Sequence, residues 1–201
     1  MRSVLRAACL AALAPMPLAP LALAPLALAA PKPAAAAGFA VTSPDFPDGG
    51  TIPVAQELDL HGCTGANRSP ALAWSGAPAG TRSFAVTIHD TDARGGRGWW
   101  HWVVLDIPPD VRGLRAGAGT PGSPALPAGA TQGRTSFGFA RYGGPCPPVG
   151  DPPHHYRITV YALRVARLNL PAGTPPDAVR TRLRADALAS ARIVGRFGRA
   201  R

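Results

Sequence analysis

Residues 83–107 read SFAVTIHDTDARGGRGWWHWVVLDI, two apolar runs joined by a polar, glycine-rich link. In the first run Phe84, Val86 and Ile88 alternate with Ala85, Thr87 and His89, the period of two expected of a strand. The second run, from Trp99 to Ile107, is a near-continuous series of aromatic and branched residues. The link is too short for a crossover, so the two runs are expected to form an antiparallel hairpin. Asp90 and Asp92 continue the parity of Ile88, which places both carboxylates at the end of the apolar face. His89 has the opposite parity and points away from it. His101 shares the parity of Trp99, Val103 and Leu105. Carboxylates at the end of an apolar face are costly unless paired or hydrogen-bonded, so this end of the hairpin is where chemistry is expected.

Outward from the hairpin, HHYRITVYALRV (154–165) sets Tyr156, Ile158 and Val160 on one side of another strand. GFAVTS, ELDLHG and ALAWS are shorter candidates, and Pro/Gly clusters such as PDGG, IPPD and GTPGSPALPAG divide the runs. Short strands separated in this way indicate a mainly β protein, an antiparallel β-sandwich or barrel. The segment from Gly113 to Gly138 is expected to cross the surface with little regular structure. Near the end, Val179, Leu183, Ala187, Ala191 and Val194 recur at helical spacing. Pro175-Pro176-Asp177 can start a helix there, and Gly195 or Gly198 can end it.

Arg2 and Arg6 precede an Ala/Leu/Pro run that ends in Ala35-Ala36-Ala37 before Gly38, the layout of a secretory signal peptide. Pro15, Pro17, Pro20 and Pro25 argue against a retained membrane helix. The expectation is a signal peptide at 1–37, cleavage near Ala37, a secreted or periplasmic location, and one domain over 38–201. Removal of Cys9 would leave Cys63 and Cys146, an even pair that reads as a disulfide in an exported protein, with two free thiols as the alternative. The formal net charge is +10. From Arg164 onward the acids are only Asp177 and Asp186 against nine arginines, whereas the preceding body is balanced. Aromatic residues do not interleave with that charge, so no nucleic-acid partner is expected. A solvated helix face is the simpler reading, with at most peripheral contact to anionic membranes or polymers.

If the strands are neighbours, Asp90, Asp92, His101, His154 and Tyr156 meet at one end of the sheet. A polar cluster at the mouth of an apolar sandwich is the usual composition of a small-ligand pocket. The same groups could ligate zinc, but no His-x-x-x-His or Cys-x-x-Cys pairing accompanies them. They could serve a hydrolase, but no Gly-x-Ser-x-Gly elbow is present. They could also be purely structural, with Asp90 satisfying loop amides and His101 packed in the core. No metal or other cofactor is expected.

The strings NRSPALAWSGAPAGTRSFAVTIHDTDA, GWWHWVVLDIP and YGGPCPPVGDPPHHYRITVYAL, in this order, resemble the phosphatidylethanolamine-binding protein family, most nearly its bacterial Raf-kinase-inhibitor-like branch. The resemblance runs from about Phe39 to Arg199. It implies an antiparallel β-sandwich with a pocket at one end for anions such as phosphate, acetate or phospholipid head groups. By motif position, Asp90 and Asp92 correspond to the aspartates of the family's Asp-Pro-Asp-Ala-Pro, and His101 to its Trp-His strand. Tyr142, Pro147 and Pro148 correspond to its Gly-Pro-Pro loop, and His154 with Tyr156 to its His-Arg-Tyr. Thr91 and Arg94 stand where the family prefers proline, which should loosen the loop, and His155 stands where arginine is usual. Arg94 either adds a cation at the pocket rim or points to water, the second being the simpler expectation. The reading is therefore an exported, non-enzymatic binding protein for a small anion or phospholipid head group. The alternative is an inhibitor of a protease or another protein, acting through loops near the pocket. A cytoplasmic kinase is a poor target for an exported chain. Because two ionised carboxylates oppose an anion, binding is expected to strengthen as pH falls through the histidine range.

Overall fold

The computed structural model describes residues 38–200; the expected signal peptide lies outside them. The strands are β1 (Ala40–Thr42), β2 (Leu72–Ser75), β3 (Ser83–Asp90), β4 (Trp99–Ile107), β5 (Gly113–Leu114), β6 (Thr131–Gln132), β7 (His154–Leu163) and β8 (Ala187–Phe197). The expected hairpin is β3–β4, and β3 lies at the centre of a five-stranded antiparallel sheet of order β6-β4-β3-β7-β8. A smaller antiparallel sheet, β1-β2-β5, packs against one of its faces. Val41, Leu72, Trp74 and Leu114 of the small sheet meet Phe84, Val86, Ile88 and Trp102 of the large one in a continuous core. This is the expected β-sandwich.

The opposite face of the large sheet carries the other parity, Ala85, Val103, Leu105, Tyr161 and Leu163. It is covered by a helix, Pro176–Asp186, through Val179 and Leu183. Helical spacing from Val179 to Val194 predicted one continuous helix, but the helix ends at Asp186 and residues 187–197 form β8. The alanines at 187, 189 and 191 suit a period of two as well as one of 3.6. Pairing decides between them: β8 runs along β7 from Leu163↔Ala187 to His154↔Phe197, and without it the ten-residue β7 would be a bare edge. ELDLHG is also not a strand. A 3₁₀ turn at Val54–Gln56 leads into it, and the Leu58 N–H donates to the Pro145 carbonyl at 3.0 Å, so the segment pairs with the GGPCPP loop. The 113–138 stretch is turns apart from β5 and β6, as expected.

Candidate functional site

A β-bulge positions the histidine. Ile88 pairs with Trp102 and His89 with Trp100, so β4 carries one extra residue, His101, at this point. The extra residue resets the alternation. Val103 and Leu105 face the helix, whereas His101 turns to the sandwich side with Asp90 and Tyr156. Simple parity grouped His101 with Val103 and Leu105; the bulge separates them. Trp100 and His89 pack together on the far face with ring centroids 4.2 Å apart and planes tilted by 41°, so His89 points away.

Asp90 is 3% exposed, and its carboxylate is fully engaged. Oδ1 accepts the backbone N–H of Asp92 at 2.9 Å and of Ala93 at 3.1 Å, and Oδ2 lies 2.8 Å from His154 Nδ1. Tyr156 is directly across from Asp90 in the β3–β7 register. Its hydroxyl is buried and has no hydrogen-bond partner among the described residues. Burial, and then the charge of Asp90, push its phenol well above the usual range, so it remains a proton donor at working pH.

The His101 Nδ1–H donates to the Gly143 carbonyl at 2.7 Å and lies 3.1 Å from that of Gly144, which leaves Nε2 for the cavity. Gly144 has to be glycine, because a Cβ there would run into the Gln56 carbonyl. Burial lowers the His101 imidazole from 6.5 to about 4, against the opposing pull of these carbonyls and Asp90. It is therefore neutral near pH 7. Because the folded value lies below the unfolded one, the unfolded chain takes up the proton first as pH falls. Stability is complete above about pH 6.5 and declines by roughly 3 kcal/mol towards pH 4. Urea unfolding at several pH values should show this decline shrinking by that amount in His101→Asn; an unchanged slope would remove His101 as its source.

Asp92 lies beyond the strand end. Its Oδ2 accepts the His155 backbone N–H at 2.6 Å and lies 3.0 Å from His155 Nδ1. Burial raises its carboxyl, but the His155 backbone bond and ring outweigh this and hold it below the ordinary value. Thus His155, in the place usual for arginine, pins the second aspartate. Arg94 has φ 56, a left-handed conformation closed to proline's ring. Its side chain is exposed, with the guanidinium 5.0 Å over the Trp99 ring at the pocket rim.

Asp90, Asp92, His101, Pro147, Pro148, His154 and Tyr156 all line one cavity of about 360 Å³. Tyr142 does not. It sits buried behind His101, donates to the Gln56 carbonyl at 3.1 Å, and meets the Trp102 ring edge-on. The wall also includes His61, Phe137 and Asp151, which sequence reading had not placed. Asp151 Oδ2 lies 3.6 Å from His154 Nε2 and could have been suspected from its i,i+3 spacing. His61 could not, because its segment reads as a strand. The Cys63–Cys146 disulfide closes that wall, tying the His61 loop to the GGPCPP loop. Among the described residues no group of three or more His, Cys, Asp and Glu side chains forms a metal site.

Comparison with known proteins agrees with this architecture. The family model for the phosphatidylethanolamine-binding protein matches residues 42–198. YbcL of Escherichia coli is 45% identical over 160 residues, which cover 80% of this chain and 87% of YbcL. LppC of Mycobacterium tuberculosis is 40% identical over 167 residues, 83% of this chain and 75% of LppC. The crystal structure of YbcL, described as a new member of the mammalian PEBP family, aligns with a TM-score of 0.77, covering 81% of this chain and 99% of that one. CT736 of Chlamydia trachomatis aligns with a TM-score of 0.67 at 28% identity, covering 81% and 98%. With the family model spanning most of the chain and its motifs gathered around one cavity, the chain belongs to the phosphatidylethanolamine-binding protein family.

Proposed function

We propose that this chain is an exported, non-enzymatic binding protein whose cavity takes a small anion, a phosphate or a phospholipid head group. The observation that carries this reading is Tyr156, a residue of the cavity wall whose buried hydroxyl lies near the Asp90 carboxylate but has no well-formed hydrogen bond among the described residues. An orphaned buried hydroxyl costs about 1–3 kcal/mol, and an anionic oxygen would repay that cost. Both aspartates are already satisfied by backbone amides and imidazoles, so their charge is partly spent within the protein. Tyr156 and the Arg94 guanidinium remain as donors around the opening. Among the described residues no serine or threonine lines the cavity, and its cysteine is held in the disulfide, which supports binding over nucleophilic catalysis. Export is supported by the leader-like first 37 residues, by the disulfide, and by the similarity to LppC, whose name calls it a lipoprotein.

His154 is held between two carboxylates, with Asp90 Oδ2 2.8 Å from Nδ1 and Asp151 Oδ2 3.6 Å from Nε2, so acidic groups outnumber fixed cations around the opening and oppose an anion most at high pH. Calorimetric titration should find phosphate bound more tightly at about pH 5.5 than at pH 8. Asp90→Ala and His101→Ala should abolish phosphate-induced thermal stabilisation. Equal affinity at both pH values, or stabilisation that survives both substitutions, would overturn the reading. Turnover of a phosphoester that Asp90→Asn destroys would make the protein an enzyme instead.

A further inference from the structure

The face of the large sheet turned away from the family pocket is only half covered. The helix closes over its apolar part, but the next rungs carry polar side chains. In register, Trp100, His89 and Arg157 form one rung, and Thr87, Thr159 and Arg192 form the rung beside it. Arg180 and Arg184, four residues apart, reach over these rungs from the helix. Between helix and sheet lies a cleft of about 360 Å³ lined by these four arginines, His89, and the hydroxyls of Thr87, Thr159 and Ser190.

Among the described residues no carboxylate lines the cleft. Arg180 alone has an ion-pair partner, Asp177 at 3.0 Å; among the described residues Arg157, Arg184 and Arg192 have none. Part of the arginine surplus of the C-terminal segment is thus concentrated in one concavity. Like charges gathered in this way repel, and a counter-charge held between them removes that repulsion. Guanidinium forks and hydroxyls together are the donors that suit phosphate oxygens. Burial, and then Arg180 and Arg157, hold the His89 imidazole below its usual value, against the opposing charges of Asp177 and Asp90.

We infer that this cleft is a second ligand site, for a compact polyanion carrying two or more linked phosphate groups. Its concavity and interspersed hydroxyls favour such a molecule over a flat anionic membrane, which would use a convex surface. The site is separate from the family pocket and does not depend on its reading.

Isothermal titration of the full chain with tripolyphosphate at low salt tests this. One saturable event is expected, with inorganic phosphate bound far more weakly at this site. Each lost charge-assisted contact weakens binding about tenfold, so Arg184→Ser with Arg192→Ser should cost roughly 100-fold. Those side chains are exposed, so circular dichroism should show an unaltered fold. Arg192→Lys should lose less than Arg192→Ser, and Tyr156→Phe should leave tripolyphosphate affinity unchanged. Affinity unaltered by the double substitution, or lost with Tyr156→Phe, would overturn the proposal. So would binding to phosphatidylglycerol vesicles without binding to tripolyphosphate.

Discussion

Asp90→Ala is expected to destabilise the fold by about 3–5 kcal/mol, because three buried hydrogen-bonding groups lose their partner at about 1–3 kcal/mol each. The substitution leaves the backbone N–H groups of Asp92 and Ala93 without acceptors and His154 Nδ1 without a partner. Desolvation makes each loss count, because Asp90 and His154 are both buried. Asp90→Asn should cost less. Its amide oxygen can still accept the two N–H groups, and only the contact with His154 changes character. Chemical denaturation of the two variants separates the contributions. Equal losses would assign the whole effect to His154, and negligible losses in both would contradict the hydrogen-bond network as described.

Removing the disulfide should have a comparable effect. Cys63 and Cys146 are separated by 83 positions, and cross-linking a loop of that length restricts the unfolded chain by about 4–5 kcal/mol in the chain-entropy model. For a domain of this size, Cys63→Ala with Cys146→Ala should therefore lower Tm by about 10–15 °C. The same change should weaken ligand binding, because the bridge joins the His61 loop to the loop carrying Pro147 and Pro148. Thermal melts of the oxidised and double-alanine proteins give the first quantity, and phosphate titrations of both give the second. A drop of only a few degrees would mean that the other loop contacts restrain the unfolded chain or hold the wall by themselves.

Much of the sandwich was legible because its strands alternate cleanly. Phe84, Val86 and Ile88 announced the inner face, and Tyr156, Ile158 and Val160 announced the matching face of β7. The family motifs located Asp90, His101 and His154 without help from the structure. Two features depend on pairings that the local pattern does not show. The bulge at His101 is set by pairing against Ile88 and His89, and neither run carries a local mark of it. The end of the helix at Asp186 is also a tertiary decision: an alanine-rich stretch satisfies both periods until β7 offers its edge. The basic cleft combines both difficulties. Its arginines come from β7, the helix and β8, so the charge surplus was visible in the sequence but its concentration in one place was not.

The ligand site rests most directly on Tyr156, and one substitution tests it from two sides. Tyr156→Phe removes a buried hydroxyl that has no well-formed hydrogen bond among the described residues, so the free protein should be unchanged or slightly more stable. The same substitution removes a donor that a bound anion would use. Calorimetric titration of wild-type and Tyr156→Phe protein with phosphate, alongside denaturation of each, should show affinity falling about tenfold while stability holds. Phosphate affinity equal in the two proteins would contradict the account.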